Sequence, residues 1–551
     1  MKRLLIVLAL ATSCVSQASQ QVQTASTTAD AKLTPAEIKA NQEKARDLLQ
    51  LAESESRGLD AGMRALTLSQ IGSAYVGVDQ KKAAALLHDA FTATTEMDPE
   101  RARDKQFLQD RILNSLLGLE GDAIAELLPR AEPDTRSGMM GRLIARAAEK
   151  KDFARAGELV NQAAADSAKF PYDGVTSYML QLPPDDSSDR LNAFMQAYNA
   201  YSRTAKEDTG FSTSGFDRII VRFGGLLPKE MTLKAIDDVL NRAKDSDSDA
   251  RFTLSSAAGS ATFNTSYDYY LFEFLPVLRK LDPSKADDLL KQDNVLQGTM
   301  SRFPNGVASL DPTIRDTPPK HGESGGMSFS INSAGKKSNS AAPSGANMQQ
   351  IIGQYNAEVS RIAQLAAKEP RQALSEAMNL PESVGTMLAR LAGLQAVAQA
   401  TWQKYPEVSR DALDQLMKAV ANLKPESASR SRLTTLAADL YMRLNDTEAA
   451  KRTIDLGLKN AEALYDIDNN ADDPNKALKG YWPSAALWGQ CIALAYKVEP
   501  DKVPEMLAGI KDDEIRTFTR IAYALALTGN PYGSVTTMVR RKGQNSTSTY
   551  N

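Results

Sequence analysis

From Thr34 onward the apolar residues of this 551-residue chain recur every three or four positions, and small residues stand at fixed places within the recurrence. This pattern constrains the fold more than any other feature. A stripe of that period makes a helix amphipathic, whereas a half-buried strand needs strict alternation. Alanine on the buried stripe lets two antiparallel helices approach closely. Each such pair leaves a face that only the next pair can cover. Three segments share one skeleton, an Ala-rich helix, a short turn carrying Asp, and a second helix with Ala facing back: 68–91 (LSQIGSAYVGVDQKKAAALLHDAF), 142–164 (RLIARAAEKKDFARAGELVNQAA) and 433–458 (LTTLAADLYMRLNDTEAAKRTIDLGL). A looser copy is 520–539 (RIAYALALTGNPYGSVTTMV).

In 433–458, Tyr441 is the large residue of the first helix, Asn445-Asp446 the turn, and Ala450 and Gly457 the small positions of the second helix. In 142–164 the matching residues are Ala147, Asp152-Phe153, Ala156 and Ala163; in 68–91 they are Asp79, Ala83 and Ala90. This arrangement resembles the tetratricopeptide repeat, a helix–turn–helix unit of about 34 residues. A HEAT-like array is the nearest rival. The resemblance implies an all-α fold of antiparallel helix-pair repeats forming one or two α-solenoid lobes. The Lys/Asn clamp of chaperone-binding tetratricopeptide domains is absent from 433–443 (LTTLAADLYMR).

Local signals punctuate the pattern. Thr34-Pro35-Ala36-Glu37 is a capping box with Pro at the first helical position, and Asp98-Pro99 and Asp282-Pro283 start further helices. Alternating strands with Asn-Gly or Asp-Gly turns are absent from the parts expected to be ordered. Residues 304–347 are rich in Pro, Gly, Ser and Asn and read as a disordered linker. The expected division is therefore a helical-repeat lobe over 34–303, the linker, a second lobe over 348–541 and a polar tail over 542–551.

The N-terminus carries an address. Lys2 and Arg3 precede the apolar run Leu4–Ala11, which is too short for a membrane span of about 20 residues. Small and polar residues follow, the order of a secretory signal peptide. Ser16-Gln17-Ala18 places cleavage after Ala18, giving a signal peptide over 1–18 and a flexible tether over 19–33. Ala11-Thr12-Ser13-Cys14 resembles a bacterial lipobox, with Ala11 where Leu is usual; that route would leave Cys14 lipidated. Either route leaves Cys491 as the last thiol, in an apolar helical run that makes it a small buried hydrophobe. No intrachain disulfide then holds the exported chain.

Composition removes much chemistry. With two His and two Cys, a zinc or iron–sulfur site lacks ligands, and a net charge of −3 gives no basic field for nucleic acid. Gly322-Glu323-Ser324-Gly325-Gly326, preceded by His321, formally matches G-x-S-x-G. It lies in the linker, without the strand and helix that make a nucleophile elbow; His88 is far upstream on an amphipathic helix. Ser333-Lys336 (S-x-x-K) is discounted on the same ground, and Gly335–Ser338 lacks the upstream Gly and strand of a phosphate loop. Asp185-Asp186, Asp237-Asp238 and Asp472-Asp473 read as turn, cap and surface residues. Asp466–Asn470 alternates oxygen ligands but lacks the Gly and distant Glu of a calcium loop.

Tyr267, Tyr269, Tyr270, Phe272 and Phe274 form the densest aromatic cluster, read as core with an aromatic ligand patch as the functional alternative. Trp482 and Trp488 read as core. Arg142 and Arg146, four apart on a first helix, could meet a carboxylate, although a solvated face is the plainer reading. No residue is assigned a catalytic, cofactor-binding or metal-binding role. The expectation is an exported, periplasmic or extracellular helical-repeat protein of bacterial type. It would be non-catalytic, use no cofactor and bind a protein or peptide partner. Nucleic acid is not expected as a partner, and membrane only if Cys14 is lipidated. The alternatives are a secreted all-α enzyme working through carboxylates, of lyase or glycosidase type, and a lipid-anchored structural envelope component.

Overall fold

The computed structural model describes residues 34–76, 78–166, 169–204, 215–245, 250–256, 258–291, 293–310, 328–333, 345–380, 384–470, 477–528, 535–541 and 544–550. In chain order the first helices are α1 (Pro35–Ser56), α2 (Ala61–Tyr75), α3 (Gln80–Thr95) and α4 (Ala102–Glu120). Next come α5 (Pro133–Glu149), α6 (Phe153–Ala165), α7 (Tyr172–Gln181), α8 (Ser187–Arg203), α9 (Phe216–Phe223) and α10 (Lys229–Asp245). Strands β1 (Ala250–Ser256) and β2 (Gly259–Phe263) precede α11 (Ser266–Leu281), α12 (Pro283–Lys291), α13 (Asn294–Arg302), the one-turn α14 (Val307–Leu310) and β3 (Ser328–Ser333). The remainder is α15 (Gly345–Lys368), α16 (Pro370–Met378), α17 (Val384–Thr401), α18 (Pro406–Ala421), α19 (Ala428–Arg443), α20 (Thr447–Asn470), α21 (Pro483–Val498), α22 (Val503–Ala508), α23 (Asp513–Leu527), β4 (Val535–Arg541) and β5 (Gln544–Tyr550).

The chain is a predominantly helical repeat fold, and its helical hairpins follow from local chemistry. At the start of α1 the Thr34 Oγ1 accepts from the Glu37 N–H at 3.3 Å, and the Glu37 carboxylate accepts from the Thr34 N–H at 2.7 Å. The α5–α6 and α19–α20 hairpins turn in the same way. Lys151 (φ 61°) and Asn445 (φ 57°) adopt the left-handed region after the first helix. The next residue's N–H then reaches back to a carbonyl five residues earlier: Asp152 to Ala147 and Asp446 to Tyr441, both at 2.9 Å. The same aspartates cap the second helix by accepting from the N–H of Arg155 and Ala449 at 3.2 Å. The expected small positions Ala83, Ala90, Ala147, Ala156, Ala163 and Ala450 are all buried.

The chain forms two compact units, and their boundaries differ from the expected lobes. One unit joins Met1–Leu119 to Ala341–Asn551; the other is Glu120–Ser340. The expected 34–303 lobe is divided because α1 and α2 pack on the C-terminal helices. The Glu55 carboxylate on α1 accepts from the Thr517 Oγ1 of α23 at 2.9 Å and pairs with Arg520. The Gly480 N–H meets the Met63 sulfur at 3.4 Å. A Cβ on Gly480 would stand 2.5 Å from Leu66 Cδ2 and 3.1 Å from Phe518. The buried stripe of α1 (Ala45, Leu49, Ala52, Ser56) supplies the apolar face of this closure.

Within 120–340, α5 and α7 cross backbone to backbone: a Cβ on Gly174 would lie 2.4 Å from Gly141 Cα. Strands appear where none was expected. β1 pairs antiparallel with β2 (Leu254 opposite Ala261) and with β3 (Leu254 opposite Phe329), in the order β2-β1-β3. Leu254, Ala261 and Phe263 are buried, an alternation that helical reading passes over, and Gly259 turns at φ 133°. The 304–347 segment is also redrawn. Val307 and Leu310 are buried in α14, 328–333 is β3 and α15 begins at Gly345; residues 311–327 and 334–344 lie outside the described residues.

In the looser copy at 520–539 the second helix is replaced by β4, paired with β5, which occupies the expected polar tail. The Val-Thr-Thr-Met-Val run favours extended backbone through its β-branched side chains. Among the described residues no helix is long and apolar enough to cross a membrane. The leader, its Ala18 cleavage site and Cys14 lie outside them.

Candidate functional site

The unit of 1–119 and 341–551 carries a groove of about 360 Å³ between α1, α22 and α23. That is near the lower end of ligand-sized clefts, about 300–1,000 Å³. Leu48, Pro504, Leu507 and Ala508 supply apolar lining, and Lys44, Arg516, Arg520 and Tyr523 supply the polar groups. The arginines follow from helical spacing on α23: Arg516, Arg520 and Tyr523 stand four and three apart and share one face. Lys44 and Leu48, four apart on α1, face them.

Both arginines are held in ion pairs. The Arg520 guanidinium pairs with Glu55. Arg516 pairs with Asp513 and donates to the Ile510 carbonyl at 2.9 Å. The Lys44 ammonium lies 5.3 Å from the centroid of the Tyr523 ring, a cation–π contact. Tyr523 is only 1% exposed, and its hydroxyl has no hydrogen-bond partner. Lining cations and their partners sum to three positive and two negative groups, a net single positive charge at the groove.

A second polar group lies in the 120–340 unit. Glu273 on α11 is buried among Phe272, Phe274 and Leu275. Burial raises its carboxyl well above the ordinary range, and the neighbouring Asp217 carboxylate and its hydrogen bond raise it further; a hydrogen bond from Tyr269 opposes the shift. The protonated form of Glu273 is thus favoured. At 3% exposure Glu273 is placed as a core group and not across a cleft, where a glycosidase needs its acids.

The residues singled out in the sequence distribute widely. Tyr270, Phe272 and Phe274 are core, and the half-buried Tyr267 lies under the Lys244 ammonium at 4.6 Å. Trp482 and Trp488 are buried, with rings 6.0 and 5.8 Å from that of Tyr465. Arg142 is exposed on α5 and Arg146 half-buried. Asp186 caps α8 through the Asp189 N–H at 3.1 Å, Asp237 pairs with Lys285 at 2.7 Å, and Asp238 accepts from the Tyr198 hydroxyl. Asp468 accepts from the Ser484 Oγ at 2.9 Å, a structural bond within the would-be calcium segment. His88 is half-buried on α3, and burial pushes the Cys491 thiol up to about 12. His321, Ser324, Lys336 and Asp472-Asp473 lie outside the described residues. Among those described, no group of three or more His, Cys, Asp and Glu could hold a metal.

Sequence reading singled out none of the groove residues. Their only local signal is the Arg516–Arg520–Tyr523 spacing on an amphipathic helix, because the facing Lys44 and Leu48 come from the other end of the chain.

No family model matches the chain, and no curated protein matches it. Among solved structures it is similar to a circular tandem repeat protein with novel repeat topology and enhanced subunit contact surfaces. The identity is 12% and the TM-score 0.13, over 89% of this chain and 100% of that one. A score that low transfers neither fold detail nor function.

Proposed function

We propose that this is an exported, non-catalytic helical-repeat protein of tetratricopeptide-like type that binds a protein or peptide partner through the α1–α22–α23 groove. The leader pattern supports export to the periplasm or beyond, with Cys14 as lipid anchor where the lipobox route is taken. One observation carries the binding reading: an open groove with an apolar lining and cations beside it. Repeat arrays act mostly through such surfaces. A peptide lays one or two side chains on Leu48, Pro504 and Leu507, and the rim gives direction.

The test is selection of displayed random peptides on the full chain and on Ala508→Trp. Ala508 is exposed at the end of α22, so Trp there fills the groove without entering the core. Peptides retained by the wild type and lost on the variant are the expected outcome. No retained pool, or an identical pool on both proteins, would overturn the reading.

A further inference from the structure

We infer that the α9–α11 contact is a proton-held latch, closed while Glu273 carries its proton and released when Glu273 and Asp217 are both charged. The latch belongs to the 120–340 unit and is independent of the groove. Its geometry is a pair of carboxyl groups divided between two helices. Glu273 on α11 is buried, and its Oε2 has no hydrogen-bond partner. Asp217 stands beside it from the first turn of α9 and is only half-buried, so the pair can exchange protons with solvent. Tyr269, one turn earlier on α11, is the third group.

The surrounding charges are engaged elsewhere. Arg218, next to Asp217, opposes the negative charge, but its side chain is 61% exposed and lies 3.5 Å from Asp173. Arg222 stands at the other end of α9. On α10, Asp237 is paired with Lys285 of α12, Asp238 accepts from the Tyr198 hydroxyl, and Arg242 donates to the carbonyls of Tyr201, Ser202 and Thr204. Arg302 of α13 lies 5.5 Å from the Phe303 ring centroid. The Gly224–Leu226 turn and β2, also packed on α11, carry no ionisable side chain. Two carboxyl groups side by side resist ionising together. The pair either keeps a proton or separates.

Separation falls to α9 because of its length and its ends. α11 has 16 residues and is anchored by Phe272, Phe274 and Leu275. α9 has eight, between Gly215 at φ 61° and the Gly224-Gly225 pair, and a Cβ on Gly225 would meet nothing within 4 Å. Glycine absorbs the dihedral changes of a hinge at little steric cost. Phe216 of α9 is inserted among Tyr172, Phe194, Tyr198 and Tyr201, with ring centroids 5.0–6.3 Å away. Lifting α9 withdraws that ring and uncovers the other four. Burial, and then Asp217, hold the Glu273 carboxyl well above its ordinary value of 4.5. The closed state is therefore fully favoured below that value and loses its advantage as pH rises toward the folded one. Across this window the open fraction of α9 rises up to about tenfold per pH unit, one proton being lost on opening.

The experiment is amide exchange of the full chain by mass spectrometry from pH 5 to pH 8, corrected for the intrinsic rate. Protection of 216–223 should fall by up to about tenfold per unit within this range, while the α5–α7 crossing (133–149 and 172–181) stays level. Glu273→Gln should hold 216–223 level throughout. Asp217→Asn removes the second charge and leaves Glu273 buried, so its fall should stop at a lower pH than in the wild type. If Glu273→Gln fails to fold, the wild-type and Asp217→Asn profiles decide alone. Level protection of 216–223 in the wild type, or a fall that persists in Glu273→Gln, would overturn the inference. An equal fall at the α5–α7 crossing would do so too, because the whole unit and not α9 would then be opening. An Asp217→Asn profile identical to the wild type would remove Asp217 from the latch and overturn it as well.

Discussion

Glu273→Gln should stabilise the 120–340 unit at neutral pH, although it alters a fully packed core position. Glu273 is 3% exposed, and burial beside Asp217 keeps its carboxyl protonated well above the ordinary value of 4.5. The unfolded chain loses that proton near the ordinary value, so above it the native state binds one more proton than the unfolded state. Stability from this group is fully present below about 4.5 and is lost as pH rises toward the folded value. The slope is about 1.4 kcal/mol per pH unit for one proton. Gln keeps the shape of the protonated acid and has no proton to lose. The variant should therefore match the wild type at pH 4 and exceed it at higher pH. One unit above the ordinary value the gain is about 1.4 kcal/mol, or about 3–6 °C for a unit of this size. Scanning calorimetry of both proteins from pH 4 to 8 reads the difference directly. Parallel curves, or a variant less stable throughout, would show that Glu273 is ionised in the fold and the reasoning wrong.

Ala450→Leu should cost about 1–3 kcal/mol, because Ala450 is fully buried in the cluster of Leu416, Leu433, Ala437 and Tyr441. Hydrogen exchange should show the loss reaching α1 and α2 as well as 341–528; confinement to 341–528 would contradict the closure of α1 on α23. Gly174→Ala should destabilise the 120–340 unit by about 1–3 kcal/mol or more, since its Cβ would stand 2.4 Å from the Gly141 backbone. An unchanged melting temperature would place the α5–α7 crossing wrongly. Cys491, buried with its thiol pushed up to about 12, should resist alkylation at pH 8 in the native chain and react once denatured, read by mass spectrometry of the Cys491 peptide.

The helical hairpins were legible because their determinants are local. Asp152 and Asp446 each close a turn and cap a helix within a dozen residues, and alanines at helical spacing mark the contact face. The strands were less so. Phe252 and Leu254 alternate over too few residues to outweigh a helical background, and β3 reaches β1 from some 75 positions away. The division into units failed for a different reason. A composition break near 304 marks a change along the chain and not a boundary in space, because the helices on its N-terminal side belong to both units. What joins α1 to the C-terminal helices is a set of contacts between residues 417 to 465 positions apart, such as Met63 with Gly480 and Glu55 with Arg520. Periodicity marks a helix's buried face but not which distant helix covers it.

The two unusual polar groups show what burial alone can and cannot say about function. Glu273 and Tyr523 both hide an oxygen without a partner, Oε2 in one and the hydroxyl in the other. In each helix the residue sits on an apolar stripe, and neither differs in sequence from an ordinary core or surface residue. Glu273 is buried beside Asp217 and Tyr269, so its cost is reduced from within, by holding a proton. Tyr523 lies where two ends of the chain meet imperfectly and leave room beside three cations. A proton suffices for the first; the second is closed off from solvent although the groove passes its residue. An orphaned group marks a binding site only where a cavity reaches its unpaired atom, and at Tyr523 that atom is sealed.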